Sequence, residues 1–257
     1  QSTFAYQILR DYYYAEKSEI TNHDIKYYYD TEHSLMSDIG GNVRYYGANP
    51  NNYVYFNCDS YANQTEETCE LWRIIGVFDG KVKIIRNSDL GGFSYDYDYN
   101  DGNGATTSSN DWSTSSLMTL LNGAYYDNED TTYYNGSTTG TAVNFNTDKT
   151  GIKNNETRNM ISDHLLNLGG HNLAYMIYSD QIYTYERGTK VYGGNAKTWR
   201  GKIAIMYASD YGYANIKYKI LDYSGNVVAE ELENIYDLTY KIERSKEEEF
   251  TKTEEKF

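Results

Sequence analysis

The sequence predicts an α+β domain with two or three helices and a C-terminal antiparallel β meander. Three observations lead there. Apolar runs at 71–78 and 81–86 flank Asp79-Gly80, a pair suited to the φ > 0 positions of a tight hairpin turn. Leucines recur at helical spacing within 113–122 and 156–168. Apolar and polar residues alternate over 216–220 and 236–242, as in half-buried strands.

In chain order, residues 3–19 read as a helix, because Phe4, Ile8 and Tyr12 fall at i, i+4 and i+8 with Ala5 and Leu9 beside them. Residues 20–50 are polar, Tyr-rich and irregular, and close on the turn Gly47-Ala48-Asn49-Pro50. The hairpin then places Ile74, Ile75, Val82, Ile84 and Ile85 in a core. A long loop follows over 87–110. Asp111 or Ser113 caps a helix over 113–122, with Leu117, Leu120 and Leu121 inward. Another polar loop covers 123–150. The second Leu-rich helix spans 156–168, turns Met160, Ile161, Leu165 and Leu168 inward, and stops at Gly169-Gly170. Residues 202–207 read as a buried strand. The meander is then built from 216–220, a turn at Ser224-Gly225-Asn226, Val227-Val228-Ala229, and 236–242. The expected units are an N-terminal helix and irregular segment (1–46), an α+β core (47–214), the meander (215–243) and a charged tail (244–257).

A chain of 257 residues is long enough to bury a real core. Its net charge of −14 repels phosphate backbones, so nucleic acid is not an expected partner, and anionic membrane surfaces are disfavoured likewise. No apolar run approaches the ~20 residues of a membrane span. Gln1-Ser2-Thr3-Phe4 carries no basic or apolar stretch, so any export signal is expected to have been removed. The 31 tyrosines fit either a binding surface, where Tyr offers area at little rotamer entropy, or strand propensity alone. Tyr-rich stretches at 95–99, 125–126 and 133–134 are the candidate recognition surface.

Two cysteines, Cys58 and Cys69, flank a polar loop. Zinc needs about four ligands at short spacings, and no Cys-x-x-Cys or histidine pair lies nearby in sequence. The expectation is a disulfide in an oxidising compartment, against two free thiols in a reducing one. The one cation candidate is the stretch from Asp96 to Asn103, where Asp96, Asp98, Asn100 and Asp101 supply hard oxygen ligands suited to calcium. The alternative is a solvated turn-rich loop, because Gly102 is one place late for an EF-hand and no Glu occupies the twelfth position. Calcium is the only cofactor suggested. The four histidines are scattered, and no nucleophile elbow or reactive lone cysteine accompanies them, so no catalytic residue is assigned.

Several segments carry a family resemblance. They include residues 47–57, Leu71-Trp72-Arg73-Ile74-Ile75-Gly76-Val77-Phe78, Val82-Lys83-Ile84-Ile85-Arg86 and Asn110-Asp111-Trp112-Ser113-Thr114-Ser115-Ser116-Leu117. Tyr185-Glu186-Arg187-Gly188-Thr189 and Ala208-Ser209-Asp210-Tyr211-Gly212-Tyr213-Ala214 continue the pattern, which covers roughly residues 4–214. Together they resemble uncharacterised exported surface proteins of low-GC gut Firmicutes, whose core is similar to the C-type-lectin-like fold. The resemblance implies a cell-surface protein with a lectin-like α+β core. The chain departs from the pattern in lacking the Trp-x-Leu-Ser-Pro and Gly-Val-Arg-Pro segments with which such proteins usually end. Either the meander completes the sheet or another subunit supplies the missing half.

The expected function is therefore a non-catalytic extracellular surface binding protein or adhesin, with a protein or glycan at the cell surface as partner. The alternative is a structural subunit of an extracellular filament or surface layer that self-assembles by strand or edge complementation.

Overall fold

A computed structural model describes residues 3–22, 24–47, 49–96, 111–133, 143–170, 178–191, 193–214, 218–221 and 227–231. It is a mixed α+β structure with antiparallel sheets and a few short helices. Among the described residues no helix is long and apolar enough to cross a membrane.

Helix α1 (Phe4–Tyr14) starts where the Thr3 side chain accepts the Tyr6 N–H, satisfying an otherwise free amide. Its inward face is Ala5, Ile8 and Tyr12, whereas Phe4 is exposed. The helix ends earlier than the sequence suggests, and the supposedly irregular stretch behind it is a sheet. Strands β1 (Ser18–Asn22), β2 (Ile25–Asp30), β3 (Leu35–Ser37) and β4 (Val43–Tyr45) form an antiparallel meander. These strands are too short and too rich in Tyr to show an apolar alternation, which is why composition hid them. They join β5 (Tyr53–Phe56), β6 (Glu70–Phe78) and β7 (Lys81–Arg86) in one seven-stranded sheet that runs across residues 46 and 47. β6 is its axis: β7 lies along one edge, while β5 and β4 share the other.

The β6–β7 hairpin forms as its turn chemistry requires, with Asp79 and Gly80 at φ 49° and 73°. A bulge at Ile75 breaks the alternation of β6. It resets parity so that Ile74 and Val77, three residues apart, both pack under α1 with Leu35 and Val43. Ile75 and Ile85 are half-buried and stand outside that cluster, which corrects their expected place beside Ile74. The opposite face carries Tyr27, Met36 and Arg44.

Cys58 and Cys69 form the expected disulfide between β5 and β6. Asn57, in left-handed backbone at φ 54° and fully buried, stitches this corner to residues 151–153 by accepting Lys153 N–H and donating to the Gly151 carbonyl.

The remaining helices are shorter than expected. Asp111 caps a 3-10 turn at Trp112–Thr114, and Ser115, not Ser113, caps α2 (Ser116–Leu120). A π-helical turn, Leu121–Asp127, continues α2 and buries Ala124 and Tyr125 with Phe145 and Ile152, so the stretch after 122 contributes to a core. α3 spans only Asn155–Met160. The leucines behind it belong to β8 (His164–Asn167), paired with β9 (Thr198–Gly201), and Leu165 is exposed rather than inward. Residues 202–207 are not a strand: Asn122 captures the backbone of Lys202 and Ile203, and Ile205 is half exposed. α4 (Ser179–Glu186) and α5 (Ala208–Ala214) pack together. β10 (Tyr218–Leu221) and β11 (Val227–Glu231) pair as the expected C-terminal hairpin; its turn at 224–226 and the third strand at 236–242 lie outside the described residues.

Gly76 faces the backbone of β4, and a Cβ there would collide with the Val43 carbonyl oxygen and lie 2.9 Å from the Arg44 Cα. Gly76→Ala is therefore expected to destabilise the fold by about 1–3 kcal/mol, read as a lower urea midpoint; an unchanged midpoint would contradict the close β4–β6 approach.

Candidate functional site

The sheet register sets three residues in a row: Arg44 on β4 lies opposite Gly76 on β6, and Gly76 lies opposite Lys83 on β7. With no side chain between them, the two cations converge. Arg44 is 1% exposed. Its Nε donates to Asp38 Oδ2 and its Nη1 to Asp210 Oδ1 at 2.6 Å. Lys83 Nζ meets the other Asp210 oxygen, Oδ2, which also accepts the Tyr207 N–H at 3.1 Å. Arg44 stacks over Phe78 and Tyr213 at 4.5 and 4.9 Å.

α4 extends this centre. Glu186 is buried, accepts the Ser209 N–H at 3.1 Å and pairs with Arg187. Arg187 lies over the rings of Tyr183 and Tyr207. Three cations and three carboxylates thus share one interior, and leaving any of them unpaired would be costly. Burial pushes the Glu186 carboxyl above its ordinary range, with Asp210 adding to the effect. Burial also pushes the Lys83 amine down, against the pull of Asp210. For Asp210 burial opposes ionisation, but Lys83 and Arg44 outweigh it and hold the carboxyl below the usual range.

Beside this centre opens a cleft of about 290 Å³. α4 supplies Ile182 and Glu186, the residues before α5 supply Ile205 and Tyr207, and Trp112 and Asp111 close the far side. Trp112 is held by Trp199 edge-on at 5.7 Å and by Tyr95 at 6.2 Å. Asp111 Oδ2 accepts the Ala196 N–H at 2.7 Å, while Oδ1 accepts the N–H and hydroxyl of Ser113. Tyr207 donates its hydroxyl to the Asn167 carbonyl, and burial pushes its pKa up to about 12. Among the described residues no Lys, Arg or His lines the cleft. Its chemistry suits aromatic contact and hydrogen bonding to a ligand without negative charge.

The calcium candidate is only partly within view. Asp96 Oδ1 accepts the N–H and hydroxyl of Ser116 at the start of α2, a capping role. Asp98, Asn100 and Asp101 lie outside the described residues. Among the described residues no group of His, Cys, Asp and Glu is placed to hold a metal ion. The Tyr-rich recognition surface is also revised. Tyr125 is buried and Tyr133 packs on Phe93, so these rings serve the interior, whereas Tyr95 packs on Trp112 and lines the cleft beside it. Tyr97, Tyr99 and Tyr134 lie outside the described residues. His33 Nδ1 donates to Asp30 Oδ2 at 2.7 Å at the end of β2 and does not line the cleft.

The ionic centre escaped sequence reasoning, although its members lie in segments already singled out: Lys83 in the hairpin, Glu186 and Arg187 before Gly188, and Asp210 after Ser209. A readable signal is the lone arginine of Val43-Arg44-Tyr45, a cation at an inward position of a strand.

No known protein family, curated protein or solved structure matches the chain.

Asp111→Ala is expected to lower stability by about 1–3 kcal/mol at neutral pH, by freeing two amides and a hydroxyl. Burial opposes Asp111 ionisation, but the Ala196 and Ser113 donors outweigh it and lower its pKa. Its contribution is therefore present above the ordinary carboxylate pKa and is lost as pH falls through the folded-state value. Denaturant midpoints of the two proteins should converge in acid; a gap independent of pH would contradict this assignment.

Proposed function

We propose that this chain is a non-catalytic extracellular binding domain, and that its ligand is a neutral glycan unit held in the cleft between α4, the 205–207 segment and Trp112. The observation that carries the reading is the lining of that cleft. Its aromatic walls suit the C–H faces of a sugar ring. Its amides, carboxylates and backbone groups suit hydroxyls, which both donate and accept. Its volume of about 290 Å³ sits at the small end of ligand pockets, which run from roughly 300 Å³ upward. The carboxylates Asp111 and Glu186 are each occupied by backbone N–H donors, an arrangement that fits holding a shape better than moving protons. The disulfide agrees with an oxidising compartment.

A glycan array followed by calorimetry tests this. Binding of a neutral saccharide is expected, and Ile205→Arg, a change at a half-exposed lip residue, should abolish it while leaving the melting temperature in place. Silence across neutral sugars, or full binding by the Arg variant, would overturn the assignment.

A second reading, a self-assembling structural subunit, draws on a separate observation. Strand β1 is an exposed sheet edge with no partner on its outer side among the described residues. Sedimentation at rising concentration separates the two: a constant monomer favours the binding domain, and concentration-dependent growth favours the subunit.

A further inference from the structure

The contact between Lys83 and Asp210 joins residues 127 apart in sequence. It ties edge strand β7 to helix α5, and its surroundings are unusual for a simple ion pair. The Asp210 side chain is fully buried, and that of Lys83 is 26% exposed. The ammonium lies 4.9 Å from the Tyr207 ring centre and 5.4 Å from that of Phe78. Arg44 Nη1 is fixed on Asp210 Oδ1 at 2.6 Å, and the Tyr207 N–H donates to Oδ2.

We propose that Lys83 and Asp210 are the two halves of an intramolecular isopeptide bond, formed by condensation of the Lys83 amine with the Asp210 side-chain carboxyl. A buried ion pair keeps two charges out of water, whereas an amide between the same atoms buries none. The first step is proton transfer from Nζ to Oδ2 within their hydrogen bond, which yields a neutral amine and a neutral acid. Burial pushes the Lys83 amine down and so eases loss of its proton, whereas Lys83 and Arg44 hold Asp210 ionised at rest, so the neutral pair is a minor species that is drawn forward by attack and loss of water. Nζ then attacks Asp210 Cγ, forming the C–N bond. Negative charge collects on Oδ1, where the Arg44 guanidinium already points, as an oxyanion donor should. A second proton passes from the nitrogen to Oδ2, the C–Oδ2 bond breaks, and that oxygen leaves with both protons as one water. The nitrogen keeps one hydrogen as the amide N–H. No oxidant, cofactor or second molecule is consumed, and the partly exposed side of Lys83 is a route for the water to leave.

Charge accounting agrees with the product. Arg44, Arg187, Asp38 and Glu186 remain as two cations and two anions, so the interior stays balanced once Lys83 and Asp210 are neutral. The bond would clamp α5 to the sheet independently of denaturant or reductant.

The test is intact mass spectrometry of the full chain, denatured and with its disulfide reduced, followed by peptide mapping. The expected result is a mass lower than the sequence mass by one water, together with a branched peptide that carries both Lys83 and Asp210. Lys83→Arg keeps the positive charge and should restore the full mass for its sequence. The full mass with only linear peptides in the unaltered protein would overturn the proposal, whether or not any variant folds. So would a water loss mapped elsewhere, such as a cyclised Asp79-Gly80.

Discussion

The buried guanidinium of Arg44 is the constraint around which the described structure is arranged. A fully enclosed cation needs acceptors on several sides, and leaving it bare would cost several kcal/mol. Asp38 reaches it from the turn between β3 and β4, and Asp210 reaches it from α5, 166 residues away in sequence. Binding Asp210 sets α5 against the sheet, where Tyr213 then packs on Tyr27 and Met36. α4 follows, because Glu186 holds the Ser209 N–H beside Asp210. Tyr207 and Ile182 consequently stand where they wall the cleft. One strand position thus fixes a helix, the helix fixes its neighbour, and the pair shapes the site.

Gly76 is what makes that convergence geometrically available. The β-bulge at Ile75 turns Ile74 and Val77 toward α1 and leaves Gly76 on the face shared by Arg44 and Lys83. Any larger residue would separate the two cations and push β4 away. The same short stretch therefore serves the apolar core under α1 and the ionic centre on the other side. Such double duty helps explain why a hairpin with ordinary turn chemistry carries an irregularity in its middle.

Legibility in the sequence followed the strength of local signals. Asp79-Gly80 between apolar runs, the Cys58–Cys69 pair and the Val227 return strand are local features, and each appears in the structure. The α+β class was likewise readable. The strands from 18 to 45 were not, because they are three to six residues long and β2 carries three consecutive tyrosines in place of an apolar alternation. Residues 164–168 misled for the opposite reason: with Met160 and Ile161, Leu165 and Leu168 mimic a helical stripe, yet pairing with β9 overrides the period. The site was least visible. Arg44, Lys83, Glu186 and Asp210 come from four separate elements: the sheet register brings Arg44 and Lys83 together, and the docking of α5 and α4 adds Asp210 and Glu186. A lectin-like identity for the core and a glycan for the cleft rest on resemblance and on lining chemistry respectively.

The most direct test of this account is a double-mutant cycle between Arg44→Met and Asp210→Asn, read by urea unfolding of the full chain. Residues linked through one buried network should couple, and a coupling energy of about 2–3 kcal/mol is the predicted result. Additivity of the two changes within about 0.5 kcal/mol would mean that Arg44 does not seat α5, which would then be held by its other contacts, the Lys83 link, the Glu186–Ser209 hydrogen bond and its aromatic packing. The centre would then be an incidental pairing and not the organiser of the fold.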